Sequence, residues 1–140
     1  ILGDGPMRSE LDDLIQKLNL QNTVDLPGYM NNPLSFYSKA DVFVLSSLVE
    51  GLPNVLVEAM MCGCTPVATN CPTGPMEVLH GGKYGYLVPL NDQKAMSEAI
   101  LEALDNPIPK ILLDEAIEPF TVDNVIAQHF SALNLKEGLS

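Results

Sequence analysis

Short apolar runs alternate along the chain with longer stretches in which apolar residues recur every three or four positions. The first pattern is typical of strands and the second of helices, and their alternation predicts βα units built around a parallel sheet. The predicted strands cover residues 24–26, 41–45, 65–69 and 84–88, and residues 1–4 are expected to end a strand and begin a turn. The predicted helices cover residues 7–19, 33–39, 54–61, 77–79, 92–106, 110–118 and 122–135.

Some parts of this pattern support sharper expectations. The nearly continuous apolar run at 41–45 predicts a strand buried on both faces. The helix at 54–61 is apolar on all sides, so we expect it to be buried on all sides. Asp92 is expected to cap the helix that follows it. The last predicted helix carries an apolar stripe that consists of Val122, Val125, Ile126, His129, Phe130 and Leu133.

Composition narrows the class of protein. The 140 residues, 46% of them hydrophobic, fit one globular domain with no internal repeat or linker. The net charge is −11 and the seven Lys and Arg residues are scattered, whereas binding to nucleic acid needs a clustered cationic stripe. No apolar run reaches the roughly 18 residues that a membrane span requires. Nucleic acid is therefore excluded as a partner, and no spanning segment is expected.

The cysteines are Cys62, Cys64 and Cys71. Their odd number and C-x-C spacing fit neither a disulfide framework nor a zinc site. We expect them to be small packing residues in a reducing compartment.

Two carboxylates stand out as candidate functional groups. Glu58 is the only carboxylate in the apolar helix, and a buried carboxylate needs a partner or a cleft. Glu50 lies on the loop between strand 41–45 and that helix. Ligands of open α/β sheets bind where such loops meet helix N-termini, and carboxylates there suit the paired hydroxyls of a ribose or a hexose. The alternative is that Glu58 satisfies a hydrogen bond in the core and Glu50 is a solvated loop residue.

The order of several motifs resembles that of one enzyme family, the family-four glycosyltransferases of GT-B fold. Glu50 and Glu58 resemble its E-x7-E motif. Residues 3–6, 24–28 and 40–46 resemble its G-[DE]-G-P, V-x-F-x-G and A-D-[VL]-x-[VL]-x-P-S segments. Residues 58–67 and 85–88 resemble its E-A-M-A-x-G-x-P-V and N-G-x-L-V segments. The resemblance covers nearly the whole chain in order.

The resemblance implies a fold, a reaction and a set of site residues. The fold is a Rossmann-like parallel sheet with helices on both faces, the C-terminal half of a GT-B fold, and residues 1–140 form a domain that binds a nucleotide-diphosphate sugar. The reaction is sugar transfer with retention, with Glu50 as the catalytic carboxylate against the donor sugar and Glu58 on the ribose. The other implied donor-binding residues are Ser46, Gly51, Leu52, Asn54 and Val55, with Gly28, Tyr29 and Met30 framing the base.

The resemblance also implies what the enzyme uses and contacts. No cofactor or metal is expected, since the chain has no D-x-D segment, and a UDP-sugar is expected as donor, with GDP as the alternative. The Gly-Pro loop at 71–77 is a form found in enzymes of bacterial surface polysaccharides, which suggests a saccharide or lipid-linked acceptor. We expect a cytoplasmic protein, with peripheral association at the inner face of a membrane left open.

Two departures from the family pattern affect these expectations. Pro53 stands where many members have Gly, and it has no N–H to offer a ligand. The family's basic clamp for the diphosphate and its N-terminal acceptor domain would both precede Ile1, so the chain alone is expected to be inactive. The other classes of function considered are a sugar-nucleotide epimerase or phosphorylase on the same fold, a dinucleotide-binding oxidoreductase with a partial G-x-G-x-x-G, and a non-catalytic interaction module.

Overall fold

A computed structural model describes residues 1–132 of the chain. These residues fall into two compact units, one from Ile1 to Phe36 and one that begins at Tyr37. The short helix α2 (Leu34–Tyr37) ends at the first residue of the second unit.

The first unit contains one regular helix, α1 (Arg8–Lys17), and a single parallel bridge between Leu2 and Gly28. The Gly3 N–H donates to the Gly28 carbonyl over 2.9 Å, and the Ile1 amino group donates to the Asp25 carbonyl over 2.6 Å. The prediction of a strand at 24–26 is wrong: these residues form no strand, because the bonds do not extend into a regular ladder. Pro27, just before the bridge, has no N–H to continue one.

The second unit is built on a parallel sheet of three strands, β1 (Val42–Leu45), β2 (Thr65–Thr69) and β3 (Tyr86–Val88), in the order β1-β2-β3. Val67 of β2 lies in register with Val44 of β1 and Tyr86 of β3. Every residue of β2 is buried. Since successive side chains of a strand point to opposite faces, both faces of β2 are covered. The predicted parallel α/β arrangement is therefore confirmed.

The helices of the second unit cover this sheet. Helix α3 (Asn54–Met61) packs on β1, β2 and α6 (Lys110–Ile117), and α5 (Gln93–Asp105) packs on all three strands. The core between them includes Leu56, Met60, Leu79 and Leu113, all with no exposed surface. The remaining helices are α4 (Pro75–Val78), α7 (Val122–Ala132) and two short 3-10 turns, His80–Gly82 and Glu118–Phe120.

The structure corrects two expectations about burial. Helix α3 is not buried on all sides, because Met61 is 59% exposed and Val55 is 38% exposed. Its buried face is set by the sheet and α6, and the opposite side is left to solvent. Strand β1 is not buried on both faces either: Val44 is 39% exposed, because β1 is an outer strand of the three and is covered less completely than β2.

Other expectations for the helices are confirmed. Asp92 caps α5, and its Oδ1 accepts a hydrogen bond of 2.9 Å from the Ala95 N–H. Helix α7 is present, but Val122, Ile126 and Phe130 of its apolar stripe are exposed. Residues 133–135 of the predicted last helix, including Leu133, lie outside the described residues. Over residues 1–132, none of the helices has both the length and the apolar character that crossing a bilayer demands.

Candidate functional site

The candidate site lies on two loops that leave the same edge of the sheet. One loop runs from residue 46 to 53 after β1, and the other from 70 to 74 after β2. Because the strands are parallel, their carboxyl ends lie side by side. The loops touch directly: the Thr73 hydroxyl donates to the Glu50 carbonyl oxygen, and a Cβ atom at Gly74 would overlap the Gly51 carbonyl and lie 2.9 Å from Pro53 Cδ.

Glu50 is half-buried, and its carboxylate has a defined position on the first loop. The Ser47 hydroxyl donates to Glu50 Oε1 over 2.6 Å. The carbonyl of Ser47 in turn accepts a hydrogen bond from the Thr69 hydroxyl at the end of β2. Within residues 1–132, Glu50 Oε2 has no hydrogen-bond partner. This oxygen is available to accept a hydrogen bond from a ligand hydroxyl.

The start of α3 offers free backbone donors beside Glu50. Within the described part of the chain, the N–H groups of Gly51, Leu52 and Val55 donate to no backbone or side-chain acceptor. Pro53 occupies the N-cap position and provides no side-chain cap. The unpaired N–H groups of a helix start carry partial positive charge, and such a helix end accommodates an anion.

Asn54 differs from its neighbours at this helix start. Its backbone N–H already donates to the Leu52 carbonyl over 3.0 Å. Its side chain is exposed and has no hydrogen-bond partner within residues 1–132. Any contact of Asn54 with a ligand would therefore use the side-chain amide more readily than the backbone amide that the family pattern implies.

Glu58 lies one turn further along α3 and is half-buried. Its carboxylate makes neither a hydrogen bond nor an ion pair with any residue from 1 to 132. Its charge acts on the hydroxyl of Tyr37, a residue that is 6% exposed. Burial raises the pKa of the Tyr37 hydroxyl, and the negative charge of Glu58 raises that pKa further. Glu58 is thus a free acceptor at the surface and does not satisfy a hydrogen bond in the core.

The other predicted site residues lie on the loop after β1 and in the first unit. Ser46 is exposed on the loop after β1. Gly28, Tyr29 and Met30 belong to the first unit, where Gly28 is buried at φ +80° and Tyr29 is 79% exposed. In that unit the Arg8 guanidinium donates to the Leu26 carbonyl over 2.7 Å. The ligand contacts of these residues remain predictions.

Sequence reasoning missed the residues that support Glu50. Ser47, Thr69 and Thr73 all donate hydroxyl hydrogen bonds within or onto the first loop. Gly74 allows the close approach of the second loop, at φ +63°. Of these, only the glycine-proline pair at 74–75 left a signal in the sequence, because Gly before a helix-starting Pro is typical of a tight turn; the Gly-Pro loop was noted from the sequence, but its contact with the first loop was not predicted.

Two further features of the described residues bear on ligands. Among residues 1–132 there is no group of three His, Cys, Asp or Glu side chains placed to hold a metal ion. A shallow pocket lies in the first unit, lined by the residues 1–8 with Leu11 and Leu26. It contains none of the predicted site residues, its two charged lining residues, Asp4 and Arg8, pair with each other, and we assign no ligand to it.

Comparison with known proteins places this geometry in a family. The family described as "Glycosyl transferases group 1" matches residues 1–118. The chain therefore belongs to the group 1 glycosyltransferases, and the resemblance stated from its motifs is confirmed.

Curated relatives of the chain are also named as glycosyltransferases. The chain is 44% identical to the glycosyltransferase MJ1059 of Methanocaldococcus jannaschii, over 62% of this chain and 25% of that protein. It is 35% identical to the N-acetylgalactosamine-N,N'-diacetylbacillosaminyl-diphospho-undecaprenol 4-alpha-N-acetylgalactosaminyltransferase of Campylobacter jejuni, over 76% of this chain and 29% of that protein. The chain thus spans about a quarter to a third of the length of these relatives.

Solved structures agree on the fold. The crystal structure of Anabaena HepE in complex with UDP superimposes with a TM-score of 0.76 at 25% sequence identity, and it covers 90% of this chain and 36% of HepE. Its similarity, together with the parallel sheet described above, confirms a Rossmann-like domain of the GT-B class.

Proposed function

We propose that this chain is the donor-binding domain of an enzyme that transfers a sugar, with retention, from a nucleotide-diphosphate sugar to an acceptor. The observation that carries the proposal is the arrangement at the carboxyl edge of the sheet. Two carboxylates with free oxygens, Glu50 and Glu58, flank a helix start with unpaired N–H groups. Carboxylates accept hydrogen bonds from the hydroxyls of a ribose and of a donor sugar, and the N–H groups bind a diphosphate. The ribose, the diphosphate and the sugar of the donor each therefore have a complementary group at this site.

Each residue has a separate task in this proposal. Glu58 accepts hydrogen bonds from the ribose hydroxyls, and Glu50 accepts one from the donor sugar through Oε2. The N–H groups of Gly51, Leu52 and Val55 face the diphosphate. As the sugar bond breaks, negative charge grows on the leaving diphosphate, and preorganised N–H donors stabilise that charge without a metal ion. Metal independence and retention both belong to the proposal.

Uridine is proposed as the base. HepE, a neighbour at 25% identity, holds UDP in its crystal structure, and its fold matches the described part of this chain. Tyr29 and Met30 beside Gly28 are proposed to frame the base. A GDP-sugar is the alternative donor.

The acceptor is proposed to be a saccharide or a lipid-linked saccharide. The Campylobacter jejuni relative is named for transfer to a diphospho-undecaprenol glycan, and the Gly-Pro loop at 71–77 fits the same class of enzyme. The acceptor would be bound by another domain of the full-length protein, which is proposed to be cytoplasmic, with peripheral association at the inner face of a membrane as the alternative. The 140-residue chain by itself is proposed to transfer no sugar.

Calorimetric titration of the 140-residue chain with UDP, GDP, ADP and NAD tests the donor site. Preferential binding of UDP, lost in Glu58→Ala, is the expected result. Glu98→Ala is the matched control, because Glu98 is an exposed glutamate on α5, away from the two loops, and it should bind UDP as the unsubstituted chain does. Preferential binding of NAD, or UDP binding that Glu58→Ala leaves unchanged, would contradict the proposal.

A further inference from the structure

Glu50 is held by a short series of hydrogen bonds that begins in the sheet. The Thr69 hydroxyl donates to the carbonyl of Ser47, and the Ser47 hydroxyl donates to Glu50 Oε1 over 2.6 Å. Two hydroxyl groups therefore connect the end of β2 to a carboxylate on the loop after β1.

The first member of this series, Thr69, is anchored in the sheet. Thr69 is the last residue of β2, is 5% exposed, and pairs in register with Val88 of β3. Its hydroxyl also lies 3.4 Å from the Leu45 carbonyl, the last residue of β1. The hydrogen bond from Thr69 therefore fixes the orientation of the Ser47 backbone relative to the central strand of the sheet.

The second member determines how Glu50 is presented. A glutamate on an exposed loop samples several rotamers, and fixing them costs conformational entropy when a ligand binds. The bond from Ser47 occupies Oε1 and leaves Oε2 as the free acceptor. A carboxylate prepared in this way loses less entropy on binding, and preorganisation of this kind improves both affinity and reaction geometry.

We propose that Ser47, anchored by Thr69, is a positioning residue that aims the Glu50 carboxylate at the donor sugar. The inference rests on the proposed function of the chain, because it assigns Glu50 to the sugar part of the donor. Among the proposed donor-binding residues, the Ser47 hydroxyl contacts only Glu50. Loss of this hydroxyl should therefore affect binding of the sugar part of the donor and not binding of the nucleotide part.

The test compares binding of UDP with binding of UDP-sugars. The 140-residue chain is titrated by calorimetry with UDP and with UDP-glucose, UDP-galactose, UDP-N-acetylglucosamine and UDP-N-acetylgalactosamine, and the tightest UDP-sugar is carried forward. Ser47→Ala should leave the Kd for UDP within about twofold and raise the Kd for the UDP-sugar about tenfold, which corresponds to about 1.4 kcal/mol. Ser47→Thr keeps the hydroxyl and should restore binding of the UDP-sugar.

A matched pair of threonines tests the anchor. Thr65 and Thr69 are both buried on β2, but Thr65 lies at the opposite end, where its hydroxyl accepts a 3.0 Å hydrogen bond from the Ile108 N–H. Both Thr→Val changes remove a buried hydroxyl and should lower stability alike. Only Thr69→Val should weaken binding of the UDP-sugar.

A double substitution separates positioning from direct contact. If Ser47 acts through Glu50, Ser47→Ala should have no further effect on UDP-sugar affinity in a Glu50→Ala background. Additive losses would overturn the proposal, as would a Ser47→Ala chain that binds the UDP-sugar normally. Either of these two outcomes would overturn the positioning role of Ser47 while UDP binding stays intact. A chain that binds neither UDP nor UDP-sugars would instead contradict the proposed function, and this inference with it.

Discussion

Gly74 packs against Gly51 so closely that a side chain at position 74 would overlap the Gly51 carbonyl oxygen. The φ of Gly74 is +63° with ψ −88°, a combination that residues with a Cβ atom avoid. The preceding Thr73 also has a positive φ of 63°, which is costly for a β-branched residue. The second loop therefore holds an unfavourable backbone conformation in order to reach the first loop.

Substitution of this glycine should disturb both the fold and the site. We expect Gly74→Ala to lower the free energy of unfolding by about 3 kcal/mol, because backbone strain and overlap add, and to weaken UDP-sugar binding. Gly81→Ala is the matched control: its φ is +68° but nothing lies within 4 Å of the new Cβ atom. It should cost about 1 kcal/mol and leave binding unchanged. Urea unfolding and calorimetry measure the two effects, and equal losses for both variants would contradict the argument.

The cap of α5 provides a second prediction. Asp92→Ala removes the acceptor of the Ala95 N–H at the helix start, so it should lower the free energy of unfolding by about 1 kcal/mol. Asp105→Ala makes the same chemical change at the last residue of α5, where a negative charge opposes the helix dipole. That variant should be neutral or slightly stabilising in urea unfolding. Similar destabilisation at both ends would show that the cap has no special role.

The surface pair of Lys83 and Glu115 predicts a pH dependence. Hydrogen bonds from the Tyr84 hydroxyl and then from Lys83, whose Nζ lies 2.9 Å from Glu115 Oε1, lower the pKa of Glu115 below its ordinary value. A folded-state pKa that is lowered adds stability above the ordinary pKa of about 4, and that stability is lost as the pH falls through the lowered pKa. Glu115→Gln should therefore be less stable than the unsubstituted chain at pH 7 and approach it as the pH falls to 3.

Urea unfolding at pH 7, 5.5, 4 and 3 measures this difference. Tyr84→Phe removes the first of the two hydrogen bonds, so its stability difference should shrink in acid in the same way. A difference between the unsubstituted chain and Glu115→Gln that stays constant over this range would contradict the lowered pKa of Glu115.

The three cysteines should differ in reactivity. Cys64 and Cys71 are buried, whereas Cys62 is partly exposed. Burial raises the pKa of the Cys64 thiol, and the neighbouring Cys62 raises it further, so its reactive thiolate is scarce at neutral pH. A disulfide reagent at pH 7 should label Cys62 alone in the folded chain and all three cysteines in urea. Cys62→Ser should abolish the fast labelling. Fast labelling of two thiols in the folded chain would contradict the burial described here.

Sequence pattern predicted the parts of the fold that depend on local periodicity. Helix α5, its Asp92 cap and the strand at 65–69 could all be predicted, because a helical stripe, a capping residue and a short strand-forming run each carry their own signal. Burial on both faces was predicted for the strand at 41–45, whereas the structure shows it for β2. The strand at 24–26 could not be judged correctly, because its apolar residues fit a strand while Pro27 prevents a ladder.

Other features depend on distant residues and left no local signal. Apolar composition alone did not show that Met61 faces solvent, because exposure is decided by where α6 and the sheet pack. The placement of Glu50 on the loop after β1 and of Glu58 on α3 could be expected from the order of strand, loop and helix along the chain. The contact of Thr73 with Glu50 joins residues 23 positions apart, and a hydrophobic pattern does not encode such a hydrogen bond.

The contact between the two loops has a consequence for protein engineering. Thr73 binds the backbone of Glu50, and Gly74 rests on Gly51, so each loop is shaped to the other. A chimera that takes residues 46–53 from another glycosyltransferase would keep Thr73 and Gly74 facing a backbone they do not match. Under the proposed function, exchanging segments in order to alter sugar preference would therefore require that both loops come from the same parent.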